Sequence, residues 1–246
     1  MNAGLSGPDI LWLVSAALAA GLVRGFTGFG TGLVYLPVAA QILPPFQAIA
    51  TIIAMDLIGP VPNLKGAWSR VNRQHLGRLL LGLALFFPIG LWALALAAPE
   101  IFRVLVAGVT LLMVVLLLSG VRYRRGLSPR AVFATGAAGG LLGGVAGLPG
   151  PPVILTYMAG PHRAETVRAT TMLYLWGFDV LAVAVFLIAG LAPQGVLLLG
   201  FLLTVPNLAG NVLGGRLFRP GHERLYRGVA LSILTASAVS ALPIWG

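Results

Sequence analysis

The sequence predicts an all-α polytopic membrane protein, and three observations lead to this fold class. Of the 246 residues, 58% are hydrophobic and 9% are charged, whereas a soluble domain carries about 25% charged residues. Apolar runs recur along most of the chain, and most of them reach the roughly 20 residues that cross a bilayer as a helix. The period-two alternation of an outer-membrane barrel is absent. We therefore expect a bundle of helices in a lipid bilayer.

Taken in order, the apolar runs divide into two halves of similar design. The first half, residues 1–124, is predicted to contain a hairpin at about 9–43 and spans at about 46–64, 76–98 and 101–120. The second half, residues 125–246, is predicted to contain a hairpin at about 131–160 and spans at about 166–190, 194–215 and 225–245. Each half thus consists of one hairpin followed by three transmembrane helices.

Both hairpins are predicted from breaks rich in glycine and proline. The first break, GFTGFGTG, runs from Gly25 to Gly32, and the second, GGVAGLPGPP, runs from Gly143 to Pro152. Glycine permits backbone angles that other residues resist, and proline cannot donate a helical hydrogen bond. Because only a short apolar piece follows each break, we expect interrupted helices or helix–loop–helix hairpins.

The two breaks align with each other at an offset of 119 residues, which predicts an internal repeat. Gly25 falls on Gly144, and Gly28 falls on Gly147. Weaker matches at this offset are Val34 with Val153, Leu36 with Leu155, and Ala50-Thr51 with Ala169-Thr170. Val61-Pro62-Asn63 also has a counterpart in Val205-Pro206-Asn207, although at a different offset.

The distribution of basic residues predicts the topology. Except for Arg24 and Arg103, the 16 Lys and Arg residues lie in four segments: 65–78, 122–130, 163–168 and 216–227. Hairpins that enter the membrane and return place all four on the cytoplasmic side, where basic loops accumulate. The halves then have opposite orientations, as in transporters built from inverted repeats. Eight plain spans, four in each half, are the alternative. The net charge of +10 is thus explained by orientation signals, and no nucleic-acid partner is expected.

The two breaks also predict a ligand site. Two unwound turns that meet at membrane depth would surround a small oxyanion with backbone N–H groups, as helix N-termini and phosphate loops do. Thr27 and Thr31 would add hydroxyl donors to the first turn, whereas the second turn has none. The alternative is that the glycines only allow helices to pack closely.

Arg24, Asp56 and Asp179 lie within or beside apolar runs, where a charge is a functional hypothesis by default. Arg24 either contacts the anion or lies at a hairpin tip with its guanidinium in water. Asp56 and Asp179 are candidates for carrying a coupling proton, and their alternative role is structural, as partners of Arg24 or of a helix terminus. The two carboxyl groups are not repeat equivalents, because Asp56 aligns with Leu175.

Enzyme and metal-site patterns are missing from the sequence. It contains no HExxH, GxSxG or Walker motif, and His75, His162 and His222 fall in predicted loops. The absence of cysteine excludes thiolate metal sites and cysteine catalysis. We therefore expect no catalytic residues, no cofactor and no metal, and transport driven by a gradient rather than by ATP hydrolysis.

The two breaks, together with Pro37, resemble the paired signatures of the TauE/SafE family of sulfite and organosulfonate exporters over nearly the whole chain. The resemblance implies export of sulfite, or of an organosulfonate such as sulfoacetate, across the bacterial inner membrane by alternating access. It places the substrate on the matching turns. With Arg24, the predicted substrate-binding set is Thr27, Gly28, Phe29, Gly30, Thr31, Gly147, Leu148, Pro149 and Gly150. The second turn departs from an all-glycine pattern and offers fewer N–H groups.

Two alternatives to a secondary transporter share these features. A passive anion channel would use the same anion site. A non-transporting accessory subunit of a membrane complex would have the same helices but would carry no anion flux of its own. The expected partners are a small anion, the lipid bilayer and a coupling proton. The sequence leaves open whether copies of the chain form a homo-oligomer.

Overall fold

A computed structural model describes residues 5–120, 126–191, 193–217 and 223–241, without the side chains of 26, 62 and 223–227. Throughout these ranges the secondary structure is helical and contains no strand. The predicted boundary between the halves at 124, parts of the basic segments 122–130 and 216–227, His222, and the end of the last predicted span lie outside the described residues.

The described residues form eleven α-helices and one short 3₁₀ turn. In order they are α1 (Gly7–Thr27), α2 (Thr31–Ile42), α3 (Pro45–Ile58), the 3₁₀ turn (Val61–Asn63), α4 (Leu64–Trp68), α5 (Arg73–Leu96), α6 (Pro99–Ser119), α7 (Pro129–Ala146), α8 (Gly150–Ala159), α9 (Ala164–Ile188), α10 (Gln194–Leu217) and α11 (Glu223–Ser240). Five of them, α1, α5, α6, α9 and α10, contain a segment long and apolar enough to cross a membrane. Helices α2 and α3 and residues 228–240 of α11 are apolar but shorter. The predicted class, an all-α polytopic membrane protein, is confirmed.

Each predicted hairpin is a pair of helices separated by a turn of left-handed glycines. Helix α1 begins with a capping box formed by Ser6 and Asp9 and ends at Gly28, with φ of 82°. Helix α2 then starts after Gly30, with φ of 104°. In the second hairpin, α7 ends at Gly147, with φ of 67°. Side chains other than glycine rarely adopt such angles, so these glycines fix where the helices break.

The first predicted span, 46–64, is shorter in the structure than in the prediction. Helix α3 ends at Ile58, and the chain continues through Gly59-Pro60 into the 3₁₀ turn and α4. Pro60 has no N–H to extend the helix. The Val61–Asn63 turn therefore differs from its sequence counterpart Val205–Asn207, which lies inside α10.

Among the described residues, the most extensive helix packing occurs between the two predicted halves. Helix α1 packs along α10, and α5 packs along α7. Two smaller contacts also join helices of the two predicted halves: α3 packs against α10, and α5 packs against α9. Under the predicted repeat, these two contacts are equivalent to each other. The first helix of each predicted hairpin is thus held by a long helix of the other predicted half.

Glycines bring these helices into backbone contact. A Cβ atom at Gly25 would lie 2.5 Å from the carbonyl oxygen of Asn211 on α10, and one at Gly140 would lie 2.7 Å from that of Leu83 on α5. Small residues allow such close approach between membrane helices. Close helix packing was the alternative role of the glycines in the sequence analysis. It applies to the glycines within α1 and α7, whereas Gly28 and Gly147 form the turns.

The close packing of α7 on α5 can be tested with a matched pair of alanine variants. Gly140→Ala is expected to destabilise the protein by about 1–3 kcal/mol, because the added methyl group overlaps the α5 backbone. Gly108→Ala on α6, where an added Cβ would have no neighbour within 4 Å, is expected to have little effect. The measurement is the thermal unfolding midpoint in one detergent, and equal midpoints for the two variants would contradict the packing.

Candidate functional site

The two hairpin turns face each other across one small cavity. Its volume is about 50 Å³, whereas about 10–15 Å³ of such space is enough to hold one water molecule. The cavity is lined by Arg24, Phe29, Gly30, Thr31, Gly32, Leu33, Ile52, Asp56, Gly147, Leu148, Pro149, Gly150, Pro151, Ile154, Leu175, Phe178 and Asp179. We refer to it as the inner cavity.

The first turn presents a helix N-terminus to the inner cavity. Helix α2 starts after Gly30 without a side-chain cap, and Thr31, Gly32 and Leu33 all line the cavity. The first N–H groups of a helix have no acceptor within it and carry its positive dipole end. This side of the cavity can therefore donate hydrogen bonds to an anion.

The second turn contributes fewer donors. Helix α8 begins Gly150-Pro151-Pro152, and the prolines have no N–H group. The N–H groups of Gly147 and Leu148 donate to the carbonyls of Gly143 and Leu142 at the end of α7. As the sequence predicts, the two turns are therefore unequal.

Arg24 is paired inside the protein. Its Nη1 donates to Asp56 Oδ1 at 2.8 Å and to Thr31 Oγ1 at 3.2 Å. The Arg24 and Asp56 side chains are 15% and 16% exposed, so the guanidinium does not extend into water at a hairpin tip. A guanidinium has five N–H donors, so Arg24 retains donors beyond these two bonds.

The end of α3 holds Asp56 in place. Because α3 stops at Ile58, its last carbonyls have no partner within the helix. Thr204 Oγ1 donates to the carbonyl of Met55, and Trp176 Nε1 donates to that of Leu57, both at 3.2 Å. Both carbonyls that flank Asp56 are thus tied to the second half.

Asp179 projects from α9 into the same cavity. It is 7% exposed, and no described basic side chain lies within 4 Å of its carboxyl group. The cavity lining therefore holds one guanidinium, one carboxyl group paired with it and one unpaired carboxyl group.

The structure brings most of the predicted site residues together. Arg24, both proton-coupling candidates Asp56 and Asp179, and every predicted turn residue except Thr27 and Gly28 line the inner cavity. The Thr27 hydroxyl donates within its own turn, to the carbonyls of Val23 and Phe29. Thr27 and Gly28 line a neighbouring cavity instead.

Sequence reasoning missed the apolar part of the lining. Ile52, Ile154 and Phe178 carry no chemical signal that separates them from other apolar residues. Leu175 could have been found, because it aligns with Asp56 at the repeat offset and both residues line the cavity.

A comparison with family models gives one match. The model described as "Sulfite exporter TauE/SafE" matches residues 13–241, which is nearly the whole chain. No curated protein and no solved structure matches.

The Arg24–Asp56 pair can be tested with a double-mutant cycle. Asp56→Asn removes the counter-charge of a mostly buried guanidinium and is expected to lower the free energy of unfolding by about 3 kcal/mol. In Arg24→Gln/Asp56→Asn no unpaired charge remains, so its loss should be smaller than the sum of the single losses. The measurement is the unfolding of the four proteins in one detergent, and strictly additive losses would contradict the pairing.

Proposed function

The chain belongs to the sulfite exporter TauE/SafE family, and we propose on that premise that it exports sulfite across the bacterial inner membrane as a secondary transporter with alternating access. Family membership and the apolar helices make it a multi-pass membrane transporter of a small anion rather than an enzyme. The main support for sulfite as the exported anion is the inner cavity, where Arg24 and the N-terminus of α2 meet between the two hairpin turns.

The donors around the inner cavity suit an oxyanion. The uncapped N–H groups of α2 act from one side, and the remaining donors of Arg24 act from the α1 side. Both groups are fixed before a ligand arrives, because Arg24 is anchored by Asp56 and Thr31. An anion is held best by such oriented dipoles and charge-assisted hydrogen bonds.

The volume of the cavity favours sulfite over the larger organosulfonates. Sulfite has four non-hydrogen atoms, whereas sulfoacetate has eight. A cavity of about 50 Å³ is closer in size to the smaller anion. An organosulfonate would require the two turns to move apart.

The charges in the cavity link the anion to a proton. The positive charge of Arg24 and the negative charge of Asp56 offset each other, so an ionised Asp179 would leave the lining with a net negative charge that repels the ligand. A proton on Asp179 removes that repulsion. Sulfite and one proton would then cross together with a net charge of −1, and the inside-negative membrane potential would drive their export.

The site also supports the proposed repeat. At the offset of 119 residues, Phe29, Gly30, Thr31, Gly32 and Asp56 correspond to Leu148, Pro149, Gly150, Pro151 and Leu175, and all ten line the inner cavity. Together with the reciprocal packing of α1 on α10 and of α7 on α5, this supports two inverted halves with the site between them. In that plan, the halves rock against each other around a fixed site, and the four basic segments face the cytoplasm.

Sulfite counterflow in proteoliposomes tests the transport proposal. Vesicles loaded with unlabelled sulfite are expected to accumulate labelled sulfite transiently, with saturable rates. Arg24→Gln is expected to lower the rate at least tenfold, because Asp56 then faces the anion without its counter-charge. Empty liposomes measure passive leakage, and Arg163→Gln, which removes an exposed arginine outside the inner cavity, controls for net charge.

The rival functions give different results in the same experiment. With the membrane voltage held at zero by valinomycin and equal K⁺ on both sides, a passive channel would carry sulfite down its gradient without counterflow. An accessory subunit would give no flux in any vesicle, although the protein is folded and correctly reconstituted. Either result would overturn the proposal of a secondary transporter.

The role of Asp179 is tested by Asp179→Asn, which mimics the protonated carboxyl group. Wild-type vesicles are expected to accumulate sulfite when the outer solution is more acidic, because protons and sulfite enter together. The variant is expected to retain sulfite counterflow but to lose the accumulation driven by the pH gradient, since its side chain has no proton to release. Empty liposomes in the same pH gradient correct for diffusion of sulfur dioxide. Unchanged pH-driven accumulation in Asp179→Asn would exclude Asp179 as the proton carrier.

A further inference from the structure

A second, larger cavity adjoins the inner one. Its volume is about 340 Å³, within the range of about 300–1,000 Å³ that is usual for small-molecule sites. It lies between the first hairpin turn, the end of α8 and the first turns of α9. We call it the outer cavity. It is lined by Thr27, Gly28, Phe29, Ile154, Met158, His162, Ala164, Val167, Arg168 and Thr171.

The two cavities are arranged in series. Phe29 and Ile154 line both of them, so the two cavities adjoin at these two residues. A ligand that moves between the α8–α9 connection and the inner cavity by this route must pass Phe29 and Ile154.

Unsatisfied polar atoms mark the outer cavity as a binding site. Among the described residues, three buried side-chain atoms have no hydrogen-bond partner: His162 Nε2, Thr170 Oγ1 and Thr171 Oγ1. Two of these residues, His162 and Thr171, line the outer cavity, and Thr171 is only 4% exposed. Buried polar groups in native proteins are almost always hydrogen-bonded to protein or to ordered water, so His162 and Thr171 each offer an atom with which a bound ligand can pair.

The charge in the outer cavity indicates the sign of that ligand. Arg168 is the formally charged residue of the lining, and no described carboxylate lies within 4 Å of it. Its side chain lies over the first turn, where a Cβ at Gly28 would be 3.5 Å from Arg168 Nε. The missing side chain at Gly28 leaves room for the guanidinium beside the turn.

Helix α9 adds its positive dipole end. The helix is 25 residues long and starts at Ala164 without a side-chain cap, and Ala164 itself lines the cavity. Helix N-termini are favourable sites for anions. The cavity thus combines a guanidinium, a helix N-terminus and two hydrogen-bonding side chains, which together suit an oxyanion.

We propose that the outer cavity is a second oxyanion-binding site, in which Arg168, Thr171 and His162 hold sulfite before it passes Phe29 and Ile154 to the inner cavity. The identity of the anion rests on the proposed function, but the existence of the site does not. The site would concentrate the anion at the approach to the inner cavity, and its loss would weaken capture more than turnover.

Equilibrium binding of labelled sulfite to the purified full chain tests this proposal in an Arg24→Gln background, where the inner site is disabled. This protein is expected to retain one saturable site. Adding Arg168→Gln should weaken that site about tenfold, as expected for the loss of a charge-assisted hydrogen bond, and adding Thr171→Val should weaken it less. Two controls should leave it unchanged: Arg163→Gln, which has the same charge change, and Thr170→Val, whose buried hydroxyl lies outside both cavities.

Transport gives a second readout. In the otherwise unmodified protein, Arg168→Gln is expected to raise the KM for sulfite about tenfold and to change the maximal rate less than twofold. Arg163→Gln should change neither. Equal KM values for the two variants, or the same residual binding with and without Arg168→Gln, would overturn the outer site.

Sulfate and methanesulfonate, titrated in parallel, separate this proposal from the proposed function. If the wild-type chain does not transport sulfite, but one of the three anions binds saturably to the Arg24→Gln protein and Arg168→Gln weakens that binding about tenfold, the outer site stands and the sulfite function fails. If none of the three anions binds to the Arg24→Gln protein, the outer site is wrong, whatever the result of the counterflow experiment.

Discussion

The need to satisfy backbone polar groups inside a membrane constrains the rest of this structure. A helix can be interrupted at membrane depth only where protein surrounds the break or where the break lines a cavity. Both hairpin turns meet this condition, because they face each other across the inner cavity and are enclosed by helices of both halves. The left-handed glycines Gly28, Gly30 and Gly147 make the turns tight enough to fit there. The close packing of α1 on α10 and of α5 on α7 then closes the bundle around them.

Charge is the second constraint on the inner cavity. Removing an ion pair from water costs free energy that is recovered only with good geometry and additional hydrogen bonds. Arg24 and Asp56 satisfy this requirement through their 2.8 Å contact and the bond from Arg24 to Thr31. Asp179 has no such partner among the described residues. Under the proposed function, the pair orients the anion and Asp179 carries the proton.

The sequence was sufficient for the fold class and for most of the inner cavity, because both depend on local signals. Composition indicates membrane helices, and glycine and proline indicate where helices break. Contacts between distant helices leave no such signal. Arg24 and Asp56 are 32 residues apart, so their spacing left the pair as one of two alternative roles for Asp56, and the structure was needed to show the contact. The apolar lining and the unpartnered hydroxyl of Thr171 likewise depend on which helix faces lie inside. Thr27 lines the outer rather than the inner cavity, and its hydroxyl donates within its own turn.

The asymmetry of the site follows from its small size. Under the proposed repeat, Arg24, Thr31 and Asp56 correspond to Gly143, Gly150 and Leu175, so the second half lacks every charge and hydroxyl that the first half supplies. A fully symmetric site would place two guanidinium groups and their two carboxylates around about 50 Å³. Like charges at such distances repel each other, and each added ion carries its own desolvation cost. With the ion pair in the first half and Asp179 as the one ionisable lining residue of the second, the cavity avoids the second ion pair and retains both turns. The backbone can therefore remain similar in the two halves while their side chains differ.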